Sequence, residues 1–181
     1  MQTRSRDVAL SLEERTAIAE GAGGDVFVSL HANAAPRAEA AGVEIFTLDQ
    51  NAEQQTLRLA ARESGIALAA VDPLQRTLAT LRLAEAGARS SDLALHVGRA
   101  IAAGGARGPS LREDALKRGP FHVLYLSDMP AVLVEAGFVT SPDDAQRLRD
   151  PRHLDALAGE IATGLARFRD ASEALLAERR P

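Results

Sequence analysis

Apolar and polar positions change their spacing several times along this chain, and each change marks an element. Ser11 followed by Glu13 and Glu14 has the form of a helix N-cap with acidic residues in the first turn. Leu12, Ile18 and Ala19 then share one helical face, and Gly21, Gly23 and Gly24 end the helix near Ala22. Asp25 to His31 is nearly all apolar rather than alternating, which predicts a strand buried on both faces of an α/β sheet. Residues 34–41 read as a loop, and Gly42 to Leu48 as a second strand. From Ala52 to Ala103 the spacing becomes helical. Leu57, Ala60, Ala61 and Ser64 fit one helix; Leu74, Leu78, Leu81 and Ala84 fit a second; Leu93, Val97 and Ile101 form the apolar face of a third. Gly104 to Pro109 reads as a loop, Phe121 to Leu126 as a third strand and Ala131 to Gly137 as a fourth. Ser141-Pro142 opens a helix with proline at its first position. A last helix begins near Arg152, with Leu154, Leu157, Ala158, Ile161 and Leu165 on one face, and residues 171–181 read as a polar, frayed tail. Strands interleaved with helices predict an α/β fold: one domain over residues 3–170, with a mostly buried, twisted sheet of about four strands and helices on both faces.

Composition narrows the functional classes. The chain has 181 residues, enough for one domain with a substantial core. Only 3% of residues are aromatic, so that core is aliphatic. The net charge of −4, with no basic stripe carrying stacking aromatics, argues against nucleic acid as a partner. No run of 18 apolar residues is present to span a membrane. With no cysteine, disulfides, thiolate zinc sites and cysteine nucleophiles are excluded. Met1 to Asp7 has no apolar h-region, so no signal peptide is expected in this chain.

Candidate chemistry gathers at two strand ends. His-Glu-x-x-His, Gly-x-Ser-x-Gly and Walker-type phosphate signatures do not occur. Gly21-Ala22-Gly23-Gly24 precedes a strand instead of following one, so it reads as a turn and not as a dinucleotide loop. Glu135 ends the apolar run Ala131-Val132-Leu133-Val134, where a carboxylate costs several kcal/mol unless paired or neutralised. His31 ends the run from Asp25, and an imidazole there is a candidate metal ligand. If their strands are parallel, both residues sit at the carboxyl end of the sheet, where ligands of open α/β sheets bind. His96, His122 and His153 have no second ligand type at helical or strand spacing and read as structural.

Two segments are recognisable. Thr3-Arg4, Asp7, Leu12, Arg15 and Ala19 with Asp25 to Asn33, then Gly42 to Phe46, resemble zinc-dependent N-acetylmuramoyl-L-alanine amidases of the bacterial cell wall. Phe121 to Leu124 and Met129 to Phe138 are similar to that family's closing catalytic strand. The resemblance covers about Thr3 to Phe168. It implies zinc as cofactor with His31 as a ligand and Glu135 as the catalytic acid–base; Asn33, two residues past His31 and so on the same side of an extended strand, is a candidate for orienting substrate. It also implies peptidoglycan as substrate and the cell envelope or periplasm as the place of action. In such a site, zinc-activated water attacks the amide between N-acetylmuramic acid and L-alanine while Glu135 moves the proton. The family pattern also has an earlier strand ending in Asp-x-Gly-His-Gly-Gly and a Glu shortly after, which supply two more zinc ligands. Neither occurs here, so the resemblance implies a domain without its first strand, first helix and most of its second strand. The rival reading is a non-catalytic relative that binds peptidoglycan or an envelope partner. A strand left unpaired beside His31 would also favour self-association through its edge.

Overall fold

The computed structural model describes residues 1–36, 40–49, 73–104 and 115–178, and the side chains of 73–84 are outside that description. The elements are α1 (Leu12–Gly21), β1 (Phe27–Asn33), β2 (Glu44–Leu48), α2 (Pro73–Ala103), β3 (Leu116–Gly119), α3 (His122–Tyr125), β4 (Ala131–Phe138), α4 (Pro142–Arg147) and α5 (Pro151–Glu178). Ser11 caps α1 reciprocally: its Oγ accepts from Glu14 N at 3.1 Å, and its own N donates to Glu14 Oε2 at 2.6 Å. Ser141 caps α4 one way only, its Oγ accepting from Asp144 N at 3.4 Å, with Pro142 in the first turn.

The four strands form one mixed sheet in the order β1-β4-β2-β3. β1 and β4 are parallel, β4 and β2 antiparallel, and β2 and β3 parallel. Helices cover both faces. On one, Val43, Ile45, Val132 and Val134 pack against Leu93, Val97 and Ile101 of α2 and Leu157, Ile161 and Phe168 of α5. On the other, Phe27, Ala131 and Leu133 meet Val123 and Leu124 of α3, with Met129 and Ala19 beside them. The alternation of β4 between the two sets is the period-2 geometry of a strand with both faces covered.

The structure corrects several sequence-based expectations. Phe121 to Leu126 is not a strand. Pro120 has no N–H to continue a ladder, and the chain then closes one helical turn, with Leu124 N and Tyr125 N donating to Phe121 O. Strand pairing beside β2 falls to Leu116–Gly119 instead. The second and third helices read between Leu74 and Ala103 are one continuous helix, α2. The helix read at Leu57–Ser64 and most of the Gly104–Pro109 loop lie outside the described residues, as does the burial of Leu74, Leu78, Leu81 and Ala84. The segment read as a frayed tail continues α5 as far as Glu178. β1 is less buried than its composition suggests: Phe27 is buried, but Leu30 is 64% exposed.

Candidate active site

Strand register decides which side chains meet. In the parallel β1–β4 pair, His31 lies opposite Glu135. In the antiparallel β2–β4 pair, Glu44 lies opposite Glu135 from the other side. Paired residues share a face, so an imidazole and two carboxylates form a row across three strands. Ser29 and Asn33, each two residues from His31, point to the same face. The ladder then shifts register between His31 and Asn33, where Asn33 pairs with Phe138. Gly137 occupies that irregularity with φ of 145°, a conformation that a residue with a Cβ rarely adopts.

His31 is exposed, and its Nε2 is 2.9 Å from Ser29 Oγ. Partial desolvation, and secondarily the positive charge of Arg15, hold its pKa below the ordinary histidine value. Both effects favour the neutral ring, the form that binds metals. Glu135 is 7% exposed, and its Oε2 is buried with no hydrogen-bond partner among the described residues. Burial, reinforced by the Glu44 charge, pushes its carboxyl above the ordinary range. A carboxyl in that state holds its proton closer to neutral pH, as a general acid–base requires.

Glu44 is the residue that sequence reasoning missed. Its Oε1 pairs with Lys117 Nζ, and its Oε2 accepts from Asn33 Nδ2 at 3.4 Å. Lys117 also lies 6.0 Å over the Phe46 ring. The available signal was that Lys117 is the chain's one lysine. Asn33 is tied to its neighbours, with Oδ1 accepting from Ala34 N at 2.8 Å. Behind the row, buried Asp144 accepts from Gly42 N at 2.7 Å and Phe138 N at 3.0 Å, which fixes the start of β2 to the end of β4.

The other histidines stand apart from this row. His96 faces Asp92 on α2 at 3.8 Å and Phe168 edge-on. His122 stacks on Tyr125 and lies 3.9 Å from Glu13. His153 lies near the start of α5, half-buried. A groove of about 400 Å³ between α2 and α5, lined in part by Arg89, Asp92 and Phe168, contains none of the row. Among the described residues, no group of three or more His, Cys, Asp or Glu could hold a metal ion. A catalytic zinc uses three protein ligands and an open position. The described residues offer one imidazole beside a buried carboxyl, and by themselves they do not fit that ion.

The N-acetylmuramoyl-L-alanine amidase family profile matches residues 1–167. Among curated proteins, the chain is 27% identical over 168 residues to the uncharacterized protein YqiI of Bacillus subtilis, covering 93% of this chain and 63% of that protein. It is 28% identical to the N-acetylmuramoyl-L-alanine amidase AmiA of Escherichia coli, covering 92% and 59%. Among solved structures, the amidase of Clostridium difficile 630 superimposes with a TM-score of 0.65 at 26% identity, over 92% of this chain and 69% of that one. The catalytic domain of CwlV from Bacillus (Paenibacillus) polymyxa gives 0.63 at 24%, over 93% and 70%. The chain thus spans less than two thirds of the length of the curated relatives YqiI and AmiA.

Proposed function

Because this chain belongs to the N-acetylmuramoyl-L-alanine amidase family, we propose that it is part of a peptidoglycan hydrolase of the cell envelope that cuts the amide between N-acetylmuramic acid and L-alanine. The observation that carries the reading is the buried carboxyl of Glu135, whose Oε2 has no hydrogen-bond partner among the described residues, beside His31 at the carboxyl end of the parallel β1–β4 pair. Glu135 takes a proton from the attacking water as its oxygen bonds to the lactyl carbonyl carbon. It returns that proton to the nitrogen of L-alanine as the C–N bond breaks, leaving a carboxylic acid on the sugar and a free amine on the peptide; the acid then ionises, its proton passing to the amine or to solvent. The raised proton affinity of Glu135 suits both transfers. Glu44, clamped by Lys117, keeps a second negative charge beside Glu135 and contributes to that affinity. His31, held by Ser29, is assigned as one zinc donor, following the family's dependence on zinc. No step is derived through the metal, since the described residues do not complete its ligand set.

The test is digestion of purified peptidoglycan sacculi, with zinc supplied, by the protein that carries this chain. The expected products are stem peptides with a free L-alanine amino terminus, identified by mass spectrometry. Glu135→Gln is expected to lower their release by at least about a hundredfold, the scale of a lost general acid–base, without changing the circular dichroism spectrum. Release by Glu135→Gln within tenfold of the parent removes Glu135 from the mechanism. Sacculus binding with no release by the parent identifies a non-cutting binder instead.

A further inference from the structure

Glu44 and Glu135 stand directly opposite each other in the antiparallel β2–β4 pair, on one face of the sheet. Opposed residues of such a pair have Cβ atoms about 4.5–5.5 Å apart. At that spacing two carboxyl groups can share a proton, one donating to the other in a short O–H···O⁻ hydrogen bond. Here they do not. Oε2 of Glu135 has no hydrogen-bond partner among the described residues, and Glu44 acts on Glu135 through its charge.

Both oxygens of Glu44 are engaged elsewhere. Oε1 pairs with Lys117 Nζ, and Oε2 accepts from Asn33 Nδ2 at 3.4 Å. Lys117 is the stronger hold of the two, because it brings a full opposite charge. Strand register explains its reach. Lys117 is opposite Phe46 in the parallel β2–β3 pair, so it emerges on the face that Glu44, two residues before Phe46, also occupies. Its Nζ lies 6.0 Å from the centre of the Phe46 ring, whose π face adds a second attraction. Water screens the pair only in part, since the Glu44 side chain is 17% exposed and that of Lys117 39%.

On the amidase reading, Glu135 takes a proton from water and gives it to the leaving nitrogen, so its carboxyl has to be free of a competing acceptor in the protein. We propose that Lys117 is a positioning residue for that transfer. It holds the Glu44 carboxylate toward β3, so that Glu44 cannot capture the Glu135 proton and Oε2 stays open to substrate. Asn33 is the second, weaker arm of the same hold, and it spends its amide N–H on Glu44. The chain's one lysine thereby acts on the reacting proton from two strands away without touching substrate. The role in the reaction rests on the amidase reading of Glu135; the hold on Glu44 does not.

The protein that carries this chain is assayed on a soluble muramyl peptide with zinc supplied. Lys117→Met is expected to lower kcat by at least about tenfold, part of the hundredfold or more that a general acid–base provides, with KM within about twofold of the parent. Lys117→Arg, which keeps the charge in a different shape, is expected to stay within about threefold of the parent. Adding Glu44→Leu to Lys117→Met removes the freed carboxylate. That double variant is expected to recover most of the lost kcat, because burial, the larger cause of the raised proton affinity of Glu135, is unchanged.

A second readout needs no turnover. The infrared difference between each protein and its Glu135→Gln derivative isolates the Glu135 carboxyl stretch. It is recorded in chelator, above the ordinary glutamate value of about 4.3 and below the raised pKa of Glu135. The stretch is expected at lower wavenumber in Lys117→Met than in the parent, since the carboxyl then donates to Glu44, and at the parent position in the double variant. A Lys117→Met kcat within about threefold of the parent, or a loss that Glu44→Leu does not relieve, overturns the role in the reaction. A carboxyl stretch that Lys117→Met leaves in place overturns the hold itself. A parent that releases no peptide removes the amidase reading and the role in the reaction with it, while the infrared shift still decides whether Lys117 keeps Glu44 off Glu135.

Discussion

At the scale of single residues, the buried carboxyl of Glu135 ties stability to pH. In the fold, burial and Glu44 raise its pKa, whereas the unfolded chain leaves it at the ordinary glutamate value of about 4.3. Between those two values the folded state holds a proton that the unfolded state has lost. The stabilising contribution is complete below the unfolded value and disappears as pH rises through the folded one. Among the described residues, the titratable groups that face Glu135 are Glu44 on β2, itself paired with Lys117 on β3, and the imidazole of His31 on β1, with Arg15 of α1 beside it. Glu135→Gln removes the titration while keeping the size. With a chelator present, its Tm is expected to exceed the parent's by roughly 2–4 °C at pH 7–8, the shift that about 1 kcal/mol produces in a domain of this size. The gap should close toward pH 4. A pH-independent gap would mean that Glu135 ionises as freely in the fold as outside it. His31 and Glu135 were legible in the sequence because each is a polar residue closing an apolar run. Glu44 was not, because what makes it notable is its register opposite Glu135, and register is set by pairing across the sheet.

At the scale of elements, two glycines of α5 have opposite expectations. A Cβ on Gly164 would lie 2.5 Å from Val97 Cα, so here α2 and α5 touch backbone to backbone. Gly159, on the same helix, would meet nothing within 4 Å. Gly164→Ala must push the helices apart and is expected to cost about 1–3 kcal/mol, the range for an overpacked core. Gly159→Ala gains helix propensity without a clash and is expected to add about 0.5–1 kcal/mol. Urea unfolding of the two variants checks both signs, and equal shifts would mean that the helices do not meet at Gly164. The same crossing explains which helices could be read in advance. Leu93, Val97 and Ile101 repeat at helical spacing and are all buried, as the pattern requires. Phe121 to Leu126 misled because a short apolar run reads equally well as a strand or a helical turn. Its tertiary setting decides the matter: the Phe121 ring stands edge-on to Phe46 at 4.9 Å, while Val123 and Leu124 turn into the core.

At the scale of the whole molecule, the two helical layers formed by the described residues are unequal, and the candidate site lies on the thinner of the two. The layer of α2 and α5 joins helices of 31 and 28 residues over a core that includes Ile45, Val97, Val132 and Val134, each 0% exposed. The opposite layer contains α1, of ten residues, and α3, of four. In α1 the buried residue is Thr16, and Leu12 is 39% exposed. Little apolar area thus holds α1 to the sheet, and its capping box stabilises the helix itself more than its docking. Regions with few buried apolar contacts open at lower free energy than the global unfolding. Hydrogen exchange followed by mass spectrometry is therefore expected to show α1 and α3 exchanging well before β4 and the Leu93–Ile101 stretch of α2. Arg15, which bears on His31, belongs to the layer that opens first. Opening of α1 then removes that positive charge and exposes the ring to water, both of which return the His31 pKa toward its ordinary value. Protection of α1 equal to that of β4 would show that the two layers unfold as one unit, with His31 kept neutral until the whole sheet is lost.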